Sequence, residues 1–284
     1  MPRPARTRPK ADRPTPSPKA PGAGALGERL RDYALAELAR AQAQLARQGV
    51  SRHAGVHQAR KSMRRVRATL ALARGPLGER GRRLDRGLSS LCGGLGSLRD
   101  AQALTEALPR LEGAGAQGFL PEAMALATAR RDAMLARSLG RDPDLARRRK
   151  RLAAMAASLA QLDWGAVDHQ DVLACVALSE RRLVKARRRA SRRPDDDERW
   201  HVLRRRLRRL RQQDSVLLDV EPTLRPREDA SPAEATALGH AQDDALLLRH
   251  CGRGSPFPPA MRRAIREIAQ DRLDRMRAVA GKRN

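Results

Sequence analysis

From Leu26 onward the apolar residues recur every three or four positions, with few β-branched residues and no stretch of alternating apolar and polar residues. A period near 3.6 marks helices that bury one face, so the chain is predicted to be all-α. Nine helices are expected, at about 26–48, 54–74, 79–108, 119–139, 144–162, 169–190, 198–218, 231–250 and 259–280. Pro and Gly punctuate most of the gaps, as in Gly-Pro-Leu-Gly from Gly75 and the Pro-rich run after Gly252. The first 25 residues differ in kind: Pro recurs at 2, 4, 9, 14, 16, 18 and 21 among basic residues, and this composition predicts a disordered basic tail.

The pattern repeats. His-Gln-Ala-Arg-Lys-Ser-Met-Arg-Arg-Val-Arg from His57 returns as His-Val-Leu-Arg-Arg-Arg-Leu-Arg-Arg-Leu-Arg from His201, 144 residues on. Leu-Gly-Ser-Leu-Arg-Asp at 95–100 returns as Leu-Gly-His-Ala-Gln-Asp at 238–243, 143 residues on. Two motifs kept in order at nearly one offset imply two similar halves. The expected organisation is a first four-helix bundle over 26–140, a connecting helix within 141–168 and a second bundle over 169–284.

Charge changes the picture most. In 284 residues, Lys+Arg 59 against Asp+Glu 32 leaves a formal charge of +27, and only six of the bases are lysine. Self-repulsion on this scale is relieved by a polyanionic partner, and the planar fork of arginine suits phosphate oxygens. A GC-rich genome explains much of the Arg-over-Lys ratio, but not the net charge.

On a helix at 100° per residue, Arg60, Lys61, Arg64, Arg65 and Arg67 fall within about 80° of His57, with Val56, Ala59, Met63, Val66 and Leu70 on the opposite face. In the second copy Arg204, Arg205, Arg208, Arg209 and Arg211 flank His201, backed by Trp200, Leu203, Leu207 and Leu210. Asp214 alone breaks the apolar side, which predicts an arginine partner or an outward turn of the helix. A solvated face remains an alternative for either copy taken alone. If the halves pack with pseudo-twofold symmetry, both cationic faces line one groove, a trough for a linear polyanion.

Other chemistries find less support. Neither histidine has a metal-ligating partner at i+3 or i+4, and no catalytic nucleophile accompanies them. An imidazole in a basic trough serves as a hydrogen-bond donor to phosphate, its pKa depressed by its neighbours. Two Trp, one Tyr and two Phe supply few stacking platforms for single-stranded nucleic acid. Cys92, Cys175 and Cys251 are too scattered for a zinc ribbon or a disulfide framework, which suits a reducing cytosol. No secretory leader or long apolar run occurs, so a soluble cytoplasmic protein without membrane partner or cofactor is expected. The acidic run Asp195–Glu198 precedes a helix and is read as capping. Asp100 and Asp243 are read either as orienting arginines of a neighbouring helix or as plain surface carboxylates. The motif glycines, Gly96 and Gly239, are expected where helices approach closely.

These motifs resemble the CHAD domain, an α-helical family named for its histidines, over roughly residues 26–280. The resemblance implies two pseudo-twofold-related four-helix bundles around a basic central groove, with binding of inorganic polyphosphate and targeting to polyphosphate granules. By that likeness His57, Arg60, Arg64, Arg65, Arg67, His201, Arg204, Arg208 and Arg211 are binding residues. Lys61, Arg205 and Arg209 join them on helical geometry. One departure is Gln212, where the family commonly has tyrosine after the arginine. A triphosphatase domain fused to some members carries Glu-x-Glu-x-Lys, which is absent here, so hydrolysis is not expected. Two alternatives stand: a nucleoid-type protein gripping nucleic-acid backbone, and an accessory subunit of an enzyme that metabolises polyphosphate or triphosphate. The preferred chain length and the oligomeric state are not legible.

Overall fold

The computed structural model describes residues 23–113, 115–227 and 231–281. Residues 1–22, most of the expected tail, lie outside them. The described residues form ten α-helices joined by short 3₁₀ turns, with no strand among them. The helices are α1 Ala23–Leu45, α2 Arg52–Leu72, α3 Gly78–Gly94, α4 Gly96–Ala107, α5 Leu120–Arg141, α6 Ala146–Ala160, α7 His169–Arg192, α8 Asp197–Val220, α9 Pro232–His250 and α10 Pro259–Gly281.

Nine helices became ten because the segment expected over 79–108 breaks at Leu95. Gly93, Gly94 and Gly96 surround that residue, and each costs a helix about 1 kcal/mol relative to alanine. Leu95 leaves helical geometry (φ −99°, ψ 5°) while its side chain stays fully buried, so the bend is pinned by the core. Elsewhere local chemistry sets the boundaries. Asp168 caps α7 by accepting from the Asp171 N–H at 2.8 Å, with Asp171 reaching back to the Asp168 N–H. Asp196 caps α8 through the Arg199 N–H at 3.2 Å, and Asp197 and Glu198 fill its first turn. The acidic run is thus a helix cap, as expected.

Packing groups the helices into three cores, two of which cross the expected boundary between the halves. One core joins α1, α2, α3 and α6 with the start of α7 and the end of α8. A second joins the end of α4 and the first half of α5 to α9 and α10, while Met134, Leu135 and Leu139 farther along α5 pack against the first core. A third, smaller core lies between α7, α8 and α9. The first half therefore does not close on itself: α4 and α5 share their interior with helices of the second half. The connecting segment is not a spacer either, since Leu145, Leu152, Leu159 and Trp164 are buried against α1 and its neighbours. A repeated sequence specifies which faces are apolar; it does not specify which partner covers them.

Copies of the same motif pack on each other: α2 lies against α8, and α4 against α9. Contact of each element with its own repeat is the pattern of a twofold axis. Two glycines permit the closest helix approaches. A Cβ on Gly27 would strike the Trp164 carbonyl, and one on Gly55 the Gln44 carbonyl. The motif glycines behave otherwise. Open space surrounds Gly96 and Gly239, so close approach is not the reason for either. Gly27→Ala is expected to destabilise by about 1–3 kcal/mol through overpacking. Gly239→Ala, mid-helix and unobstructed, should stabilise by about 0.5–1 kcal/mol, and urea denaturation midpoints of the two variants should move in opposite directions.

Candidate polyanion-binding trough

The trough arises where α2 crosses α8. On α2, Val56, Ala59, Met63, Val66 and Leu70 are buried; on α8, Leu203, Leu207 and Leu210 are. Burying these faces fixes both helix rotations and so forces the opposite faces toward one another. The resulting cleft, of about 420 Å³, is lined by His57, Lys61, Arg64 and Arg65 from α2 and by Arg204, Arg208 and Arg211 from α8. Its remaining lining is Leu207, Gln212, Ser215 and Ala235, with no acidic residue among them.

Most of these cations lack counterions. Arg64, Arg208, Arg211 and Lys61 make no hydrogen bond or ion pair among the described residues, and the buried Nε atoms of Arg60 and Arg64 have no acceptor. Burial, reinforced by Arg208 and Arg60, pushes the Arg64 guanidinium down to about 10. Burial, with Arg204 and Arg60 beside it, pushes Arg208 down to about 10 as well. Both remain charged at neutral pH. The shifts measure an environment starved of anions. Arg204 is lowered by burial, partly offset by Asp243.

Residues at the edges of the cationic faces part company. Arg65 stays in the cleft, held by Glu37 at 2.9 Å, a carboxylate 1 % exposed on α1. Its counterpart Arg209 does not: it turns to another side of α8 and donates to the Arg67 carbonyl at 2.6 Å. Arg67 in turn leaves the cleft for Asp85, at 2.6 Å, while its counterpart Arg211 stays. Arg67 and Arg209, both expected in the trough, therefore do not line this cleft. At about 80° from the centre of the face, the nearest carboxylate or carbonyl decides which way a long side chain bends.

The other expected residues lie close by. Arg60 donates to the Cys92 carbonyl and adds its charge to Arg64 and Arg208. Arg205 pairs with Glu198 at 3.1 Å on the exposed side. His201 lies in an adjoining cleft, its Nδ1 3.3 Å from Gln242 Oε1. Arg204 lines both clefts and so stands between His57 and His201. Asp214 finds the arginine partner expected of it, Arg225 at 2.7 Å. Asp243 pairs with Arg110 at 3.1 Å, an arginine of a neighbouring turn, and so takes the orienting role.

Arg99 was missed. It sits in the second motif, pairs with Glu106 at 2.8 Å and bears electrostatically on His57, Arg64 and Arg204. Gln242, the matching residue of the other copy, contacts His201 and, at 3.5 Å, Arg204. The residue before the motif aspartate therefore faces a trough histidine in each half. Repetition of the motif was the available signal, but Arg in one copy and Gln in the other hid the shared role.

Burial lowers the pKa of His57, and Arg99, Arg64 and Lys61 lower it further against a smaller raising effect of Glu106. At neutral pH the ring is uncharged and has one N–H to donate. Among the described residues no cluster of three or more His, Cys, Asp or Glu forms a metal site.

The family model for the CHAD domain matches residues 32–252. No curated protein matches the chain. Among solved structures, the crystal structure of the CHAD domain from the plant Ricinus communis superposes with a TM-score of 0.58 at 21% identity, covering 95% of this chain and 96% of that one. PptA from Streptomyces chartreusis gives 0.59 at 20% identity, covering 90% and 97%.

Since the folded state depresses the His57 pKa, the unfolded chain takes up the proton first. The contribution of His57 to stability is thus complete above the ordinary histidine value of about 6.5 and is lost as pH falls through that value toward the lower folded one. An NMR titration should place the His57 midpoint below 6.5, and His57→Gln should flatten the loss of melting temperature between about pH 7 and 5.

Proposed function

This chain belongs to the CHAD domain family, and from that premise we propose that it binds inorganic polyphosphate, without hydrolysing it, in the trough between α2 and α8. The observation that carries this reading is the convergence of seven basic side chains from two repeat copies on one cleft without acidic lining. The association of the family with triphosphate and polyphosphate binding supports it.

Polyphosphate is a thin, flexible strand with charged oxygens on every side. Laid along the groove, it replaces the counterions that Arg64 and Arg208 lack, and bidentate guanidinium contacts add direction to the attraction. Neutral His57 donates its N–H to a phosphate oxygen, and the new negative charge then favours taking up a second proton. Nothing in this arrangement activates water. Binding therefore serves retention, and it would place the protein on polyphosphate granules. Among the described residues no helix is long and apolar enough to cross a membrane.

Backbone binding of nucleic acid is the second reading. It is favoured by the outer face of α7, where Arg181, Lys185, Arg188 and Arg192 are exposed at helical spacing. Directly packed helices such as α2 and α8 lie about 8–10 Å apart, too close to admit a rigid duplex between them. DNA would thus lie on α7 and leave the trough empty.

Long-chain polyphosphate is expected to bind with a slope of log affinity against log salt on the order of −4, about 0.7 for each of some six neutralised phosphates. Arg64→Glu with Arg208→Glu should weaken it by more than about a hundredfold, each reversal costing at least about 1.4 kcal/mol, while DNA affinity stays within a factor of about two. Equal losses for both polymers in fluorescence anisotropy would favour the nucleic-acid reading. Release of orthophosphate from polyphosphate with Mg²⁺ present would refute the non-enzymatic one.

The unpaired trough is also expected to cost the free protein stability. Arg208→Met, which keeps the volume and removes the charge, should raise the melting temperature of the free chain by a few degrees while weakening polyphosphate binding.

A further inference from the structure

Among the described residues, another cleft lies apart from the trough. It lies between α8 and α2, α3 and α7 and has a volume of about 310 Å³. Arg206 projects into it about 160° around α8 from Arg208, so the two clefts occupy different sides of that helix. Arg206 has no cationic counterpart in the first copy, where the equivalent position is the buried Ser62. Arg209 also lines this cleft, although the repeat assigns it to the trough. The second copy has thus directed two arginines to a place where the first copy has none.

The lining is amphipathic. Leu70 and Ala71 of α2 and Leu178 of α7 supply apolar surface. Around them stand Arg74, Arg182 and Arg206, all exposed and none with a hydrogen bond or ion pair among the described residues. The other charges are already engaged: Arg82 and Arg86 both bind Glu79, at 2.7 and 2.6 Å, and Asp85 binds Arg67. What remains is a set of free guanidinium groups beside a small apolar surface.

We propose that this cleft is a second ligand site, for a nucleoside polyphosphate, whose phosphates engage Arg74, Arg182 and Arg206 while its base lies against Leu70, Ala71 and Leu178. An inorganic chain would leave the apolar surface uncovered. A planar base covers the aliphatic surface and can stack on a guanidinium plane. The volume, about 310 Å³, lies at the lower end of small-molecule sites. Burial, with Arg182 beside it, lowers the pKa of Arg206, so an anion here would relieve a further unbalanced charge. The proposal does not depend on what fills the trough.

Calorimetry with ATP and with inorganic triphosphate tests it, using the full chain carrying Arg64→Glu and Arg208→Glu so that neither ligand can use the trough. ATP should bind this protein about tenfold more tightly than triphosphate, the advantage that burying part of the base confers. Adding Arg182→Glu and Arg206→Glu, both at exposed positions, should reduce ATP affinity more than about tenfold. Leu178→Ala should narrow the preference for ATP over triphosphate without changing triphosphate binding. In the otherwise unaltered chain, Arg182→Glu with Arg206→Glu should leave long-chain polyphosphate binding within a factor of about two. Absence of ATP binding to the trough variant, equal affinity for ATP and triphosphate, or an equal loss of long-chain polyphosphate would each overturn the proposal. The last result would mean that the cleft merely extends the trough.

Discussion

Guanidinium groups repel one another, and at the centre of this molecule burial depresses the ionisation of Arg64, Arg204 and Arg208, reinforced by their own mutual charge and that of Arg60 and Arg99. Nothing local favours that assembly. It is held from behind, by apolar rows on α2 and α8 whose burial leaves the cationic faces no other direction. A fully buried leucine contributes about 1.5–3 kcal/mol, against about 0.2–0.5 kcal/mol lost to each like-charged pair one turn apart on a helix. The core can therefore sustain the repulsion, and the site is stored electrostatic strain that an anion discharges.

The two copies share this burden unequally. In the first, Glu37 and Asp85 neutralise the flanking Arg65 and Arg67. In the second, among the described residues, Arg211 has no such partner and Arg209 is fastened to a carbonyl oxygen. At the margins of the two faces, counterions thus sit on the α2 side, while unpaired cations remain on both helices. The adjoining cleft around His201 differs again, since Asp197 and Glu198 contribute to its lining. A duplicated motif has in this way become a graded surface.

Much of this was legible from residue spacing, and the limits are instructive. Helix faces follow from period alone, so the split between Val56, Met63 and Val66 on one side and His57, Lys61 and Arg64 on the other could be drawn without coordinates. Asp196 and Asp214 were legible because a carboxylate before a helix, or on an apolar face, has few ways to be satisfied. The pairing of helices was not legible. Nothing in the pattern of α5 tells whether Ala123 and Ala127 will meet the first half or, as they do, a core shared with α9 and α10. The fates of Arg67 and Arg209 were hidden for a related reason: at the margin of a face, tertiary neighbours decide, and Asp85 is a neighbour only after folding. Leu95 escaped because three weak helix formers in four residues were read singly rather than together.

Contact of α2 with α8, and of α4 with α9, sets equivalent surfaces face to face about a twofold axis. A binding site with that symmetry presents the same groups to a strand entering from either end. Nucleic-acid strands have a chemical sense, and a symmetric groove would meet their two orientations as different ligands. A chain of identical phosphates has none: reversed end for end, it is the same molecule. Orientation then costs such a ligand nothing, and it can slide by one repeat unit and find equivalent contacts. Where the copies have diverged, as at Arg99 against Gln242, Arg65 against Arg209 and Arg67 against Arg211, the groove gains a head and a tail.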